Sequence, residues 1–226
     1  YTRSLVGSVI LLVTAFFACA PFAVALALLE RVWLRSPRTK RWLRLGLYTM
    51  NGLPSIVFGI FGFIVLVQWC GWGKSWLAGG IVLAMSMLPT VTVVLIERIA
   101  AVPSRYVEAA AGLGLRESQI VWAVLMRQSW GGLITGSLLG LARAAGETAP
   151  IMFTATIFAG ATFPKAIAES PVLTLPYHIF ILAQDSFDPA VGSKLWGAAL
   201  VLLGLVFALS LAALPSRLRL HEEANV

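Results

Sequence analysis

Charge is what this sequence has least of. Asp, Glu, Lys and Arg make up 12% of its 226 residues, roughly half of what a water-soluble domain carries, and that scarcity excludes a soluble enzyme or a disordered chain. Cysteine is nearly absent too. Cys19 and Cys70 lie in different apolar segments, and neither has a second cysteine or a histidine at metal-ligand spacing. That excludes a disulfide scaffold and a thiolate metal centre, and both cysteines are expected to be packing residues. There is no succession of ten-residue segments of alternating hydrophobicity, which excludes a membrane β-barrel. No short apolar segment ends in a small-residue cleavage site, so no signal peptide is expected. The one Gly-Lys-Ser triplet, Gly73-Lys74-Ser75, has Gln68 where a phosphate-binding loop needs its first glycine, so no nucleotide site is expected here.

What is abundant is apolar sequence: 59% of the residues are hydrophobic and the mean hydropathy is +0.87. A bilayer core about 30 Å thick needs roughly 20 helical residues to cross. Charge-free runs of that length or more occupy 4–29, 45–73, 75–96 and 195–216, and a fifth stretch, 128–164, carries only Arg143 and Glu147. The expected fold is an all-α integral membrane protein, a polytopic bundle with five membrane helices in a single transmembrane domain over residues 1–226.

The net charge of +7 is concentrated rather than spread along a soluble face, which argues against nucleic acid as a partner. Residues 30–44 hold Arg31, Arg35, Arg38, Lys40, Arg41 and Arg44 against Glu30, and the positive-inside rule makes that loop cytoplasmic. Alternating the crossings puts Tyr1 outside and Val226 in the cytoplasm. The loop at 97–127, with four basic and three acidic residues, falls inside; the loop at 159–194, with Lys165 and Lys194 against Glu169, Asp185 and Asp188, falls outside. Trp33 and Trp42 on one side and Trp69, Trp72 and Trp76 on the other suit aromatic belts at the two interfaces.

Asn51-Gly52 with Pro54, and Pro89, predict kinks in the second and third spans. Gly132, Gly136 and Gly140 put a smooth stripe on one helix face, suited to close helix packing. Segment 170–184, with Pro171 and Pro176, is too short to span and reads as an external loop with a short interfacial or re-entrant helix. The loop at 97–130 is too patterned to be a plain connector. Pro103-Ser104 predicts a helix start with Ser104 as its cap. A short helix follows over Tyr106 to Ala111, Gly112 and Gly114 interrupt it, and a second helix runs from Leu115 to Met126. A short small-residue helix of this kind suits docking into a groove on another protein, or else lies on the lipid surface.

Arg143 and Glu147 are four residues apart and on one helix face. An unpaired charge at membrane depth costs at least about 2.5–3.5 kcal/mol, so they must meet each other, a partner chain or water. Three roles fit: a structural pair, a translocation path in which Arg143 offers a planar five-donor cation to an oxyanion while Glu147 keeps binding weak enough for release, and a proton relay. The path is the favoured reading, with Thr148 and Thr154 able to add hydroxyls. His178 has no acid or cysteine at ligand spacing, and Asp185 and Asp188 read as solvated loop residues. No catalytic residue, metal ligand or bound cofactor is expected.

The run Glu108-Ala109-Ala110, three residues, then Gly114 resembles the EAA loop of ABC importer permeases. Val124 fits that pattern's later aliphatic position, and Met126 and Arg127 depart from its usual Leu-Pro. The stretch Gly140-Leu141-Ala142-Arg143-Ala144-Ala145-Gly146-Glu147-Thr148-Ala149-Pro150 is similar to the RAxGETAP signature of PstA-type permeases of phosphate ABC importers, and Gly52-Leu53-Pro54-Ser55-Ile56-Val57 and Leu175-Pro176 are family-like as well. The resemblance implies a type I ABC importer permease for inorganic phosphate in the bacterial cytoplasmic (inner) membrane. It implies a PstC-like sister permease, two PstB-like ATPase subunits that bind ATP-Mg, and an external PstS-like binding protein. Glu108, Ala109, Ala110, Gly112 and Gly114 would couple to the ATPase. The family pattern has a further helix that would precede Tyr1, so this sequence is expected either to lack a first membrane helix or to have been cut before it. A permease for sulfate, molybdate or tungstate is the near alternative; a membrane-embedded enzyme is remote, because it needs a nucleophile and base, or several acids and histidines, at membrane depth.

Overall fold

The computed structural model describes residues 2–156, 170–184 and 189–224. Among these there are helices and no strands. The helices are α1 (Thr2–Leu28), α2 (Pro37–Gly52), α3 (Ser55–Gly62), α4 (Trp76–Ala101), α5 (Ser104–Gly112), α6 (Glu117–Ile120), α7 (Arg127–Ala145), α8 (Ala149–Thr154), α9 (Leu175–Gln184) and α10 (Pro189–Ala224). Widened π-helical turns extend α1 through Leu29–Trp33 and α3 through Phe63–Trp69, and Val121–Met126 joins α6 to α7. Lys165, Glu169, Asp185 and Asp188 of the expected external loop, and the two chain ends Tyr1 and Val226, lie outside the described residues.

Among the described residues, three helical stretches are each long and apolar enough to cross a membrane: Thr2–Trp33, Trp76–Ala101 and Val191–Pro215. The expected second span is instead a bent pair, Pro37–Gly52 and Ser55–Trp69, meeting at 92°. Its cause is local. Pro54 cannot donate a backbone N–H and biases Leu53 away from the helical region, and Leu53 sits extended at ψ 138°. Pro89, by contrast, lies within an unbroken α4, so only one of the two predicted kinks becomes a chain break. The expected loop at 30–44 is corrected in the same way: all but three of its residues are helical, and buried Glu30 joins α1 to α2 through Arg44 at 2.8 Å.

The fifth stretch also resolves into more than one element. Helix is continuous from Glu117 through Ala145, breaks at Gly146–Thr148, and resumes as α8. With small and polar residues such as Ser129, Thr135, Gly136 and Ser137 buried along it, α7 packs between α4 and α10. It is therefore built for protein neighbours rather than lipid. The glycine stripe does what its spacing predicts: a Cβ on Gly132 would lie 2.3 Å from Arg98 Cγ, and on Gly140 3.0 Å from Val91. The helices can meet only because those side chains are missing. α4 is the hub, with 67% of its most apolar window buried, against 11% for α10.

Candidate functional site

The break after α7 creates the site. Gly146 closes the helix, its N–H and that of Glu147 bonding the Arg143 and Ala144 carbonyls at 3.1 and 3.2 Å. Arg143 thus stands in the last turn, where a cation favours the helix dipole by about 0.3–1 kcal/mol, and Glu147 lies just beyond it. Arg143 Nε approaches Glu147 Oε1 at 3.7 Å. The expected pair forms, although Glu147 has left the helix. Its carboxylate side is 16% exposed and the guanidinium side 33%, so the pair is half-buried at the edge of the bundle rather than sealed inside it.

The other edge of the guanidinium meets a residue that sequence reasoning missed. Arg143 Nη1 donates to Asn51 Oδ1, and Nη2 donates to the Asn51 backbone carbonyl at 3.4 Å. That carbonyl is in the last turn of α2, where the break at Leu53-Pro54 leaves helix acceptors without their usual partners. Thr90 Oγ1, next to Pro89 in α4, donates to the same Asn51 Oδ1 at 3.1 Å. The guanidinium is thus held by Asn51 of α2 and by Glu147 beyond α7, and Thr90 of α4 fixes Asn51 in turn. In the sequence, Asn51-Gly52 signals only a kink.

Behind this cluster α3, which begins within the family-like stretch 52–57, packs on α8. A Cβ on Gly59 would lie 3.0 Å from Pro150 Cα and one on Gly62 2.2 Å from Val82, so α3 presses on α8 and α4. Thr148 precedes α8 and is half-buried; its hydroxyl makes no cap bond, while its carbonyl accepts Met152 N at 3.0 Å. Thr154 is buried with its hydroxyl on the Pro150 carbonyl at 2.7 Å. That is the usual back-bond of threonine in a helix, and it removes Thr154 from the expected hydroxyl set. Lys74 reaches the Met152 carbonyl at 3.2 Å, and Ser75 caps α4 through Ala78 N. The Gly-Lys-Ser triplet thereby has a structural role.

The coupling candidates sit apart from this cluster. α5 carries Glu108, Ala109, Ala110 and Gly112, and Ala110 alone among its residues is buried. Its N-cap is Pro103, with no side-chain cap bond, which corrects the capping role expected of Ser104. Gly114 has φ +79°, a left-handed turn that glycine takes without strain. Leu113 beside it is 83% exposed. A cavity of about 260 Å³ lies between this hairpin and the end of α1, lined by Arg31, Val107, Glu117 and Ile120 among others. Cys19 is buried but Cys70 is exposed, so only the first is a packing residue. Burial lowers the His178 pKa from its ordinary value. Among the described residues no cluster of three or more His, Cys, Asp or Glu is arranged to hold a metal.

Residues 19–220 match the family described as binding-protein-dependent transport system inner membrane component. The chain is 35% identical over 162 residues to the phosphate transport system permease protein PstA 2 of Mycobacterium bovis, covering 68% of this chain and 54% of that protein. It is 31% identical over 219 residues to the phosphate transport system permease protein PstA of Xylella fastidiosa, covering 96% and 74%. The chain thus spans about half the length of the mycobacterial relative. Among solved structures, an inward-facing MetNI methionine ABC transporter chain superposes with a TM-score of 0.73 at 15% identity, covering 94% of this chain and 92% of that one. At that identity the likeness shows the fold alone.

Proposed function

The chain belongs to the binding-protein-dependent transport system inner membrane component family, and we propose that it is a permease subunit of an ATP-driven importer of inorganic phosphate. Relatives named for phosphate transport support the substrate. The observation that carries the reading is the half-buried Arg143–Glu147 pair at the break between α7 and α8. Arg143 is the group that meets the anion, because a guanidinium offers paired donors to two oxygens of a tetrahedral oxyanion. Glu147 holds Nε and offsets the charge, so that the ion is bound weakly enough to leave. Thr148 lines the same turn.

The segment at 97–130 couples this path to ATP hydrolysis. α5 offers an exposed face of small residues, Ala109, Ala111 and Gly112, followed by the Gly114 turn, and an ATPase subunit docks there from the cytoplasm. A PstC-like sister permease, two PstB-like ATPases carrying ATP-Mg, and a PstS-like binding protein outside complete the assembly in the bacterial cytoplasmic membrane.

Labelled phosphate uptake in cells lacking other phosphate transporters tests the reading. Arg143→Gln is expected to assemble with its partners and lose uptake. The exchange of Arg143→Glu with Glu147→Arg keeps a pair but moves the cation off the helix and away from Asn51, and it should not restore uptake. Wild-type uptake by the exchanged protein at matched expression would leave Arg143 a structural residue only. Excess sulfate or molybdate should not compete.

A further inference from the structure

Resting on that phosphate reading, the geometry points to Asn51 as a positioning residue that competes with the anion for one edge of Arg143. A guanidinium has two planar edges suited to a pair of oxygens. Here the Nε side faces the Glu147 carboxylate at 3.7 Å. The Nη1 and Nη2 end is taken by two oxygens of one residue, Asn51 Oδ1 and the Asn51 main-chain carbonyl. Two adjacent oxygens on Nη1 and Nη2 are what a tetrahedral oxyanion would also present. The difference is charge: both Asn51 oxygens are neutral, so an oxyanion displaces them with a gain in charge-assisted bonding.

The arrangement is held, not incidental. Thr90 donates to the same Oδ1 at 3.1 Å and fixes the amide from α4. The main-chain oxygen belongs to the last turn of α2, directly before the 92° elbow, so Arg143 also serves that helix end as a cation at its negative pole. Asn51 therefore keeps the guanidinium aimed and its anion edge liganded between turnovers, and sets the affinity of the site from below. It makes no contact with the anion in the productive complex; it acts through Arg143.

The test reads Arg143 directly. In the full transporter complex in lipid nanodiscs, phenylglyoxal modification of Arg143 is followed by mass spectrometry against rising inorganic phosphate, with chloride at matched ionic strength as control. Phosphate should protect Arg143 in the wild type. In Asn51→Ala the side-chain oxygen is gone; Arg143 should react faster and be protected at roughly tenfold lower phosphate, the size expected for losing one competing bond to a charged group. Thr90→Val should shift protection in the same direction by less. Asn51→Asp installs a competing carboxylate and should shift protection the other way, to higher phosphate. A purely structural role for Asn51 would alter yield or turnover in both Asn51 variants without moving protection in opposite directions.

If phosphate protects the wild type and the Asn51 variants leave its protecting concentration unchanged or shift it alike, the positioning role is overturned while the phosphate site stands. If phosphate does not protect the wild-type Arg143, both fall.

Discussion

Glu30 and Arg44 show how unevenly two partners can depend on one ion pair. Glu30 is 4% exposed and accepts Arg44 Nε and Nη2 on one oxygen at 3.1 and 2.8 Å, whereas the arginine side chain is 44% exposed. Water can replace the carboxylate for Arg44, but nothing replaces Arg44 for the carboxylate. Arg44→Met is therefore expected to destabilise the purified chain by about 1–3 kcal/mol, Glu30→Gln by clearly less, and the double substitution by less than Arg44→Met alone. Unfolding titrations in mixed detergent micelles measure the three; equal losses from the two single changes would mean that burial of the acid is not what matters. The same asymmetry explains what a sequence reader can see. Arg143 and Glu147 stand out because charge is rare inside an apolar run. Asn51 does not, because an uncharged amide before Gly and Pro looks like turn chemistry, and its partner is 92 residues away.

At the scale of elements, α5 and its turn separate two ways in which glycine can be required. A Cβ added at Gly112 or at Gly114 would meet no atom within 4 Å, so this chain offers steric room at both. Gly112 is the last residue of the helix and carries no conformational demand, while Gly114 at φ +79° does. Gly112→Ala should thus be neutral or slightly stabilising in the isolated chain, and Gly114→Ala should cost about 1–2 kcal/mol locally. Gly112→Trp and Gly114→Trp should still insert into the membrane but lose the ATPase subunit or uncouple its hydrolysis, since the obstruction would come only from a docked partner. Co-purification and coupled hydrolysis are the measurements, and normal uptake by Gly112→Trp would remove docking from this face. Elements themselves were unevenly legible. Charge-free runs located α1, α4 and the apolar part of α10, because desolvation penalises charge wherever lipid touches the chain. They merged α7 with α8, because the Gly146–Thr148 break is only three residues long and its one charge, Glu147, is paired with Arg143 four residues back on what reads as one helix face. They also turned the first half of α2, up to Arg44, into a loop: its Arg and Lys side chains mark a membrane boundary, and nothing in that role forbids helix.

The described helices are arranged as a central α4 flanked by α1 and α7, with the more exposed α10 packed on α7, and the expected orientation rests on charge at the ends of those helices. Arg31, Arg35, Arg38, Lys40 and Arg41 cluster where α1 passes to α2, beside exposed Trp33 and Trp42. One run of helix away, the turn at 70–75 carries exposed Cys70 after Trp69, which is 79% exposed. If the basic cluster is retained in the cytoplasm, the crossing made by α2 and α3 carries Cys70 to the outer surface. The native cysteines then make a built-in reporter, because Cys19 is buried and Cys70 is open. In intact cells a membrane-impermeant maleimide should label the native chain, and Cys70→Ser should abolish that labelling. Arg38→Cys introduced into the Cys70→Ser background should stay unlabelled until the membrane is permeabilised. The two positions must answer oppositely, since one bent span separates them. Labelling of position 38 from outside together with silence at Cys70 would invert the topology, put α5 on the outer face and take away its access to any cytoplasmic ATPase.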